Sequence, residues 1–169
     1  MSDPATQPAT PAAAFGKEAV LAALPDHAAI NGLGDLINDA KWDRGELTLD
    51  ILAENIVAAC KAAQTAGYNF FEDCTCVDWY PAEPRFQVTY HILSHKLKQR
   101  IRLISRVSGD TPTIDSITSI WPAANFYERE VFDLFGVNFA GHPRLTRIMM
   151  PDNWNGHPLR KDYPVEGYR

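Results

Sequence analysis

The strongest constraint on the fold is the stretch 121–163, a helix that runs into a long segment able to form neither helix nor ladder. Pro122 suits a first helical position, where its fixed φ and missing N–H cost nothing. From Ala123 the pattern turns periodic, with Tyr127, Val131, Leu134 and Phe135 on one face. Arg129 and Asp133 stand four apart on another face, close enough to pair, though such a surface pair adds only about 0.3–0.5 kcal/mol. Gly136 supplies the left-handed stop residue. Beyond it, His142-Pro143, Pro151, Gly156, His157-Pro158 and Pro164 break any regular backbone. Leu145, Ile148, Met149, Met150, Trp154 and Leu159 nevertheless call for burial. Such a segment lies against something, either the body of its own domain or a partner. Phe126 and Phe132 make the helix apolar on nearly every side, which points to a partner.

Upstream, short patterns alternate with turn signals. Residues 1–14 hold three prolines among Ala, Thr, Ser and Gln, and are expected to be a mobile, disordered tail. Residues 15–24 suit a short helix with Ala19, Val20, Ala23 and Leu24 inward, closed by Pro25. Asn31, Gly32 and Gly34 read as a loop leading to a weak strand or turn. Glu46 to Ile51 alternates as a half-buried strand, and residues 53–65 follow as an amphipathic helix with Ile56, Val57, Cys60 and Ala63 inward. Residues 70–80 are aromatic and β-branched, and a proline-rich turn separates them from a strand with Phe86, Val88, Tyr90 and Ile92 on one face. Gln99 to Val107 adds another strand, with Arg100, Arg102 and Arg106 facing out. This order predicts an α+β fold: a mostly antiparallel sheet with helices on one face, over residues 15–136, followed by an extended irregular C-terminal arm at 137–169.

Composition narrows the function. A net charge of −5 and a pI near 5.5 argue against a nucleic-acid partner. From residue 141 onward the basic Arg144, Arg147, Arg160, Lys161 and Arg169 outnumber Asp152, Asp162 and Glu166, so the arm is mildly basic. No run of about twenty apolar residues is present to span a membrane, and residues 1–15 lack the features of a secretory leader. Three cysteines, Cys60, Cys74 and Cys76, give no disulfide framework and too few ligands for an iron–sulfur cluster, and fit buried thiols in a reducing compartment.

No nucleotide-binding or nucleophile-elbow motif occurs. His142 and His157, with Glu130, Asp133 or Asp152, could hold a hydrolytic metal. Their spacing is not that of a helical metal motif, and each precedes a backbone-restricting proline. Hydrogen-bonded histidines that order the arm are the expectation. The Glu128-Arg129-Glu130 cluster could be an acid/base site, but fits a solvated, salt-bridged or intersubunit face better.

The run Glu128-Arg129-Glu130-Val131-Phe132-Asp133-Leu134-Phe135-Gly136, then Gly141-His142-Pro143, Arg147-Ile148-Met149 and Gly156-His157-Pro158-Leu159-Arg160-Lys161-Asp162-Tyr163-Pro164, closely resembles the C-subunit family of NADH-quinone oxidoreductase, respiratory complex I. The resemblance begins around Phe70 and runs to the C-terminus. It implies a structural component of the hydrophilic arm of a proton-translocating complex that passes electrons from NADH to a quinone such as ubiquinone. It further implies no catalytic residues and no cofactor on this chain, with FMN and iron–sulfur clusters on other subunits of the complex. The partners implied are chiefly the D-subunit and its hydrophilic-arm neighbours. Membrane association would be peripheral, through the complex, at the cytoplasmic side of the bacterial inner membrane. The expected interface residues are Glu128, Arg129, Glu130, Asp133, His142, Arg147, Trp154, His157, Arg160 and Tyr163. Two rivals remain: the equivalent component of a membrane-bound hydrogenase or dehydrogenase complex, and a free-standing metal-dependent hydrolase.

Overall fold

A computed structural model describes residues 11–167 of the chain. Most of the expected mobile tail, residues 1–10, lies outside the described residues. The last residues of that stretch are ordered by contacts: Pro11 accepts a hydrogen bond from the Trp42 indole at 3.2 Å, and Ala14 pairs with Trp42.

The elements run β1 (Ala14–Phe15), α1 (Lys17–Ala23), α2 (Ala28–Leu33), β2 (Ile37–Asp43), β3 (Glu46–Ile51), α3 (Ile56–Thr65), β4 (Phe70–Asp78), β5 (Phe86–Ser94), β6 (Gln99–Val107), β7 (Thr113–Asp115), α4 (Ala124–Phe135) and β8 (Asn138–Ala140). The first six-stranded sheet has the order β1-β2-β3-β6-β5-β4, antiparallel except where β3 runs parallel to β6. Strands β7 and β8 pair in parallel as a second, small sheet. The α+β fold read from the sequence is the one observed.

Alternation decides the two faces of the large sheet. Leu47, Leu49 and Ile51, then Phe86, Val88, Tyr90 and Ile92, then Ile101 and Leu103, bury their side chains in one core with Ile56, Ala59, Cys60 and Ala63 of α3. Helix α4 joins the same core through Ala124, Val131 and Phe135. Phe71 of β4 meets the rings of Trp121 and Tyr127 at centroid distances of 6.0 and 5.6 Å. The opposite face is ionic: Arg100 pairs with Glu72, Arg102 with Glu46, and Arg106 lies 4.0 Å from Asp50.

Two local expectations change. Residues 28–33 are helical where the glycines suggested a loop. Gly32 stands there because α2 crosses the end of α3 so closely that a Cβ would lie 2.6 Å from the Ala66 Cβ. In α1 only Val20 is fully buried, and Ala19 faces out.

Candidate functional site

An α-helix ends on four carbonyls without intrahelical donors. In α4 these donors are supplied by the arm. His157 Nδ1 donates to the Asp133 carbonyl at 2.8 Å, and the Leu159 N–H to that of Leu134 at 3.0 Å. Arg160 Nε donates to the Phe135 carbonyl at 2.6 Å and its Nη2 to that of Gly136 at 3.5 Å. Cations at a helix C-terminus also match its dipole. The stop residue Gly136 has φ 73°, and a Cβ there would meet Arg160 and His157 at 2.6 Å. Both conditions favour glycine, so the same residue ends the helix and lets the arm approach it.

The Asp133 side chain forms a second tie. Its Oδ1 accepts from Arg147 at 2.6 Å, while Oδ2 accepts the successive N–H groups of Ile148, Met149 and Met150 at 2.9, 2.7 and 2.8 Å. Consecutive N–H groups converging on one oxygen make an anion nest. Burial acts to raise the Asp133 pKa, but the nest and Arg147 outweigh it and hold the carboxyl below its ordinary value. Arg147 also donates to the Trp154 and Gly156 carbonyls, and Arg129 to those of Thr146 and Arg147. The Arg129–Asp133 pair that their spacing allows therefore does not form. The lone pairs of Asp133 are filled from the arm, and the planar guanidinium of Arg129 finds two carbonyls instead.

A second buried carboxylate faces the opposite way. Glu128 accepts from Ser116 Oγ at 2.6 Å and from the Ile117 N–H at 2.8 Å, fastening α4 to the segment after β7. Burial pushes its pKa up to about 7 against those two hydrogen bonds. His142 Nε2 lies 3.9 Å from it and within 3.2 Å of the Asn125 carbonyl, while Nδ1 accepts the Arg144 N–H at 3.0 Å. That second bond fixes the proton on Nε2.

The arm finishes at the far end of β4. Asp78 takes Arg85 on both oxygens at 2.9 and 2.8 Å, together with the Lys161 N–H at 2.8 Å. Arg85 extends to Asp162 at 2.6 Å. Burial works against ionisation of Asp78, but Arg85 and the Lys161 and Tyr80 N–H groups lower its pKa to about 2. Neither Asp78 nor Arg85 was among the expected site residues. The signal was there: Asp78 continues the inward alternation of Cys74 and Cys76, so the sheet pattern alone demands a cation beneath it.

Of the ten expected interface residues, Arg129, Asp133, Arg147, His157 and Arg160 meet at the end of α4, while Glu128 and His142 lie together at the other carboxylate. Glu128 and Asp133 are fully buried, and both carboxylates are hydrogen-bonded within the chain. Arg129, His142, Arg147, His157, Arg160 and Tyr163 are partly buried, and the Tyr163 hydroxyl donates to the Asn155 carbonyl at 3.3 Å. Glu130 and Trp154 are exposed. The apolar anchors divide: Leu145 and Met150 are half-buried, but Trp154 stays 39% exposed, Leu159 51% and Met149 63%, beside Phe126 at 61%. The thiols Cys60, Cys74 and Cys76 are free and buried. Among the described residues, no group of three or more His, Cys, Asp or Glu is arranged to hold a metal ion.

The fold is of a class found in a respiratory membrane assembly. A chain in the structure of the membrane-bound sulfane sulfur reductase, described as an archaeal respiratory membrane complex, matches with a TM-score of 0.72 at 25% identity, covering 81% of this chain and 82% of that one. The trypsin-resistant fragment of Nqo5 matches with a TM-score of 0.56 at 32% identity, over 60% of this chain and 83% of that one. Residues 49–169 match the family described as respiratory-chain NADH dehydrogenase, 30 Kd subunit, and the chain belongs to that family. It is 46% identical to the NADH-quinone oxidoreductase C-subunit of Citrifermentans bemidjiense over 125 residues, 73% of this chain and 78% of that one. With the C-subunit of a Roseiflexus species the identity is 42% over 151 residues, covering 88% and 82%. The family match reaches back to β3, upstream of the motifs that first suggested it.

Proposed function

We propose that this chain is a structural component of the peripheral arm of a proton-translocating NADH-quinone oxidoreductase. In this reading α4 and residues 141–163 form its docking surface for neighbouring chains, chiefly the D-subunit near the quinone-reducing region. Electrons pass from NADH to quinone through FMN and iron–sulfur groups on other subunits of the complex, and this chain keeps those subunits in register. It is held peripherally at the cytoplasmic side of the bacterial inner membrane. Among the described residues no helix is long and apolar enough to cross a membrane, which is compatible with attachment through the complex.

The observation that carries this reading is the contrast between backbone and side chains of the arm. Its backbone is pinned through Asp133 and Arg147, and its His157 and Arg160 are tied to the end of α4, yet Met149, Trp154 and Leu159, like Phe126 of α4, remain exposed. A fixed display of large apolar groups is a surface prepared for burial by another chain. His142 and His157 spend ring nitrogens on the Asn125 and Asp133 carbonyls, which supports an ordering role over metal-dependent hydrolysis. The likeness to the sulfane sulfur reductase chain supports a second reading, the equivalent component of a related hydrogenase or dehydrogenase complex. The relatives at 42% and 46% identity favour the first.

Arg147→Ala would loosen the clamp itself, so the test uses outward-facing residues. A Met149→Asp, Trp154→Ala double variant is expected to reduce co-purification with the D-subunit about tenfold or more, as hot-spot losses of about 1–2 kcal/mol imply. Thermal unfolding of the isolated chain should stay unchanged. Unaltered recovery of the complex and unaltered NADH-quinone activity would defeat the proposal.

A further inference from the structure

The two hairpins at the other end of the sheet carry a basic surface that this docking reading does not use. Because β3 and β6 run parallel, with Leu47 beside Ile101, the β2–β3 turn and the β5–β6 turn emerge at the same end. Asp43 pairs with Glu46 and Ser94 with Gln99, which leaves Arg44-Gly45 and residues 95–98 as the turns. The arm finishes at the opposite end of β4 and β5, on Asp78 and Arg85.

Arg44 and Lys98 are the two non-glycine residues with positive φ among those described, at 54° and 53°. A two-residue hairpin of this kind prefers Asn or Asp before its glycine. Placing a long side chain in the left-handed region costs about 1–2 kcal/mol. Both turns therefore give up stability to put a cation at one end of the molecule. Arg44, Lys96 and Lys98 have no acidic partner among the described residues, whereas Lys41, Arg100 and Arg102 on the adjoining strands are paired.

Two clefts open between these groups. One, of about 310 Å³, is lined by Lys41, Asp43, Arg44, Glu46, Thr48 and Arg102. The other, of about 270 Å³, shares Glu46 and Arg102 and adds His91, Lys98 and Arg100. Cations outnumber carboxylates in both clefts, by three to two in the first and three to one in the second, in a chain whose net charge is −5.

We propose that this end of the sheet binds an acidic segment of a second polypeptide. The segment lies along the two clefts with carboxylates on Arg44 and Lys98 and backbone N–H groups directed at Glu46. Glu46 lies between the clefts and is an acceptor only, so it suits a peptide, which brings N–H donors. A phosphate-rich lipid surface offers no regularly spaced backbone N–H groups to Glu46.

The test uses the full-length chain and a fluorescent peptide of alternating Glu and Gly, followed by anisotropy at low and physiological salt. Phosphatidylglycerol vesicles serve as the competing surface. Arg44→Gly and Lys98→Gly remove the cation and relieve the backbone together. Each is expected to weaken peptide binding about fivefold or more, while melting at or above the wild-type temperature. Absence of binding at low salt, wild-type affinity in both variants, or tighter binding to vesicles than to peptide would overturn the proposal. The site is remote from the arm, so these outcomes are independent of docking through α4.

Discussion

Glu128 and Asp133 lie five residues apart on α4, both fully buried, yet one carboxyl is held above its ordinary pKa and the other below. The difference is the number of donors. Asp133 collects three N–H groups and a guanidinium. Glu128 has one hydroxyl and one N–H, with His142 at 3.9 Å and the buried thiols Cys60 and Cys74 close enough to feel its charge. Glu128 thus favours its protonated form in the fold, with a pKa near 7 against an unfolded value of about 4.3. Its contribution is fully present below the unfolded pKa and is lost as pH rises through the folded one. Glu128→Gln keeps the acceptor for Ile117 and cannot ionise. It is expected to flatten the dependence of melting temperature on pH between about 5 and 7, and to raise stability at alkaline pH. Melting curves across that range check it; a variant with the wild-type slope would assign the dependence to another group. The sequence placed Glu128 on a helix, but burial of its face was hidden because Glu is rarely fully buried.

At the scale of elements, legibility followed length and period. Strand β5 and helix α3 each repeat an apolar period over several residues, and their expected inward residues are buried except for Val57; in α4 Val131 and Phe135 are buried as expected, but Tyr127 and Leu134 are only half-buried and Glu128 and Asp133 take fully buried places. Helix α2 was hidden because its glycines mimic a loop, and β7 and β8 because three residues hold no period. Gly32 is the informative case. Its lack of a side chain lets α2 approach Ala66, and Gly32→Ala is expected to destabilise the chain by about 1–3 kcal/mol through overpacking. Adding Ala66→Gly should restore most of that loss, because the clash lies between those two Cβ atoms. A double-mutant cycle by chemical denaturation measures the coupling, and additive losses would show that the contact is not responsible.

For the molecule as a whole, the arm is the decisive feature, and one carboxylate ties much of it. Asp133→Ala would leave Arg147 and three N–H groups without their anion. A loss of about 3–5 kcal/mol is expected from breaking such a buried pair. Hydrogen exchange at Ile148, Met149 and Met150 should accelerate, and proteolysis within residues 141–163 should follow, while the strands of the large sheet stay protected. Uniform loss of protection would mean that the arm and sheet unfold as one unit. The alternation of apolar residues was enough to determine the α+β class, the faces of the strands and the end of α4 at Gly136, because period and backbone preference are local properties. It also showed that residues 141–163 must lie on something. Only the tertiary structure decided what: the open carbonyl end of α4 and the buried Asp133 and Asp78 draw the arm onto its own domain. Hydrogen-bond donors cannot be matched to acceptors this far apart along the chain until the fold brings them within about 3 Å.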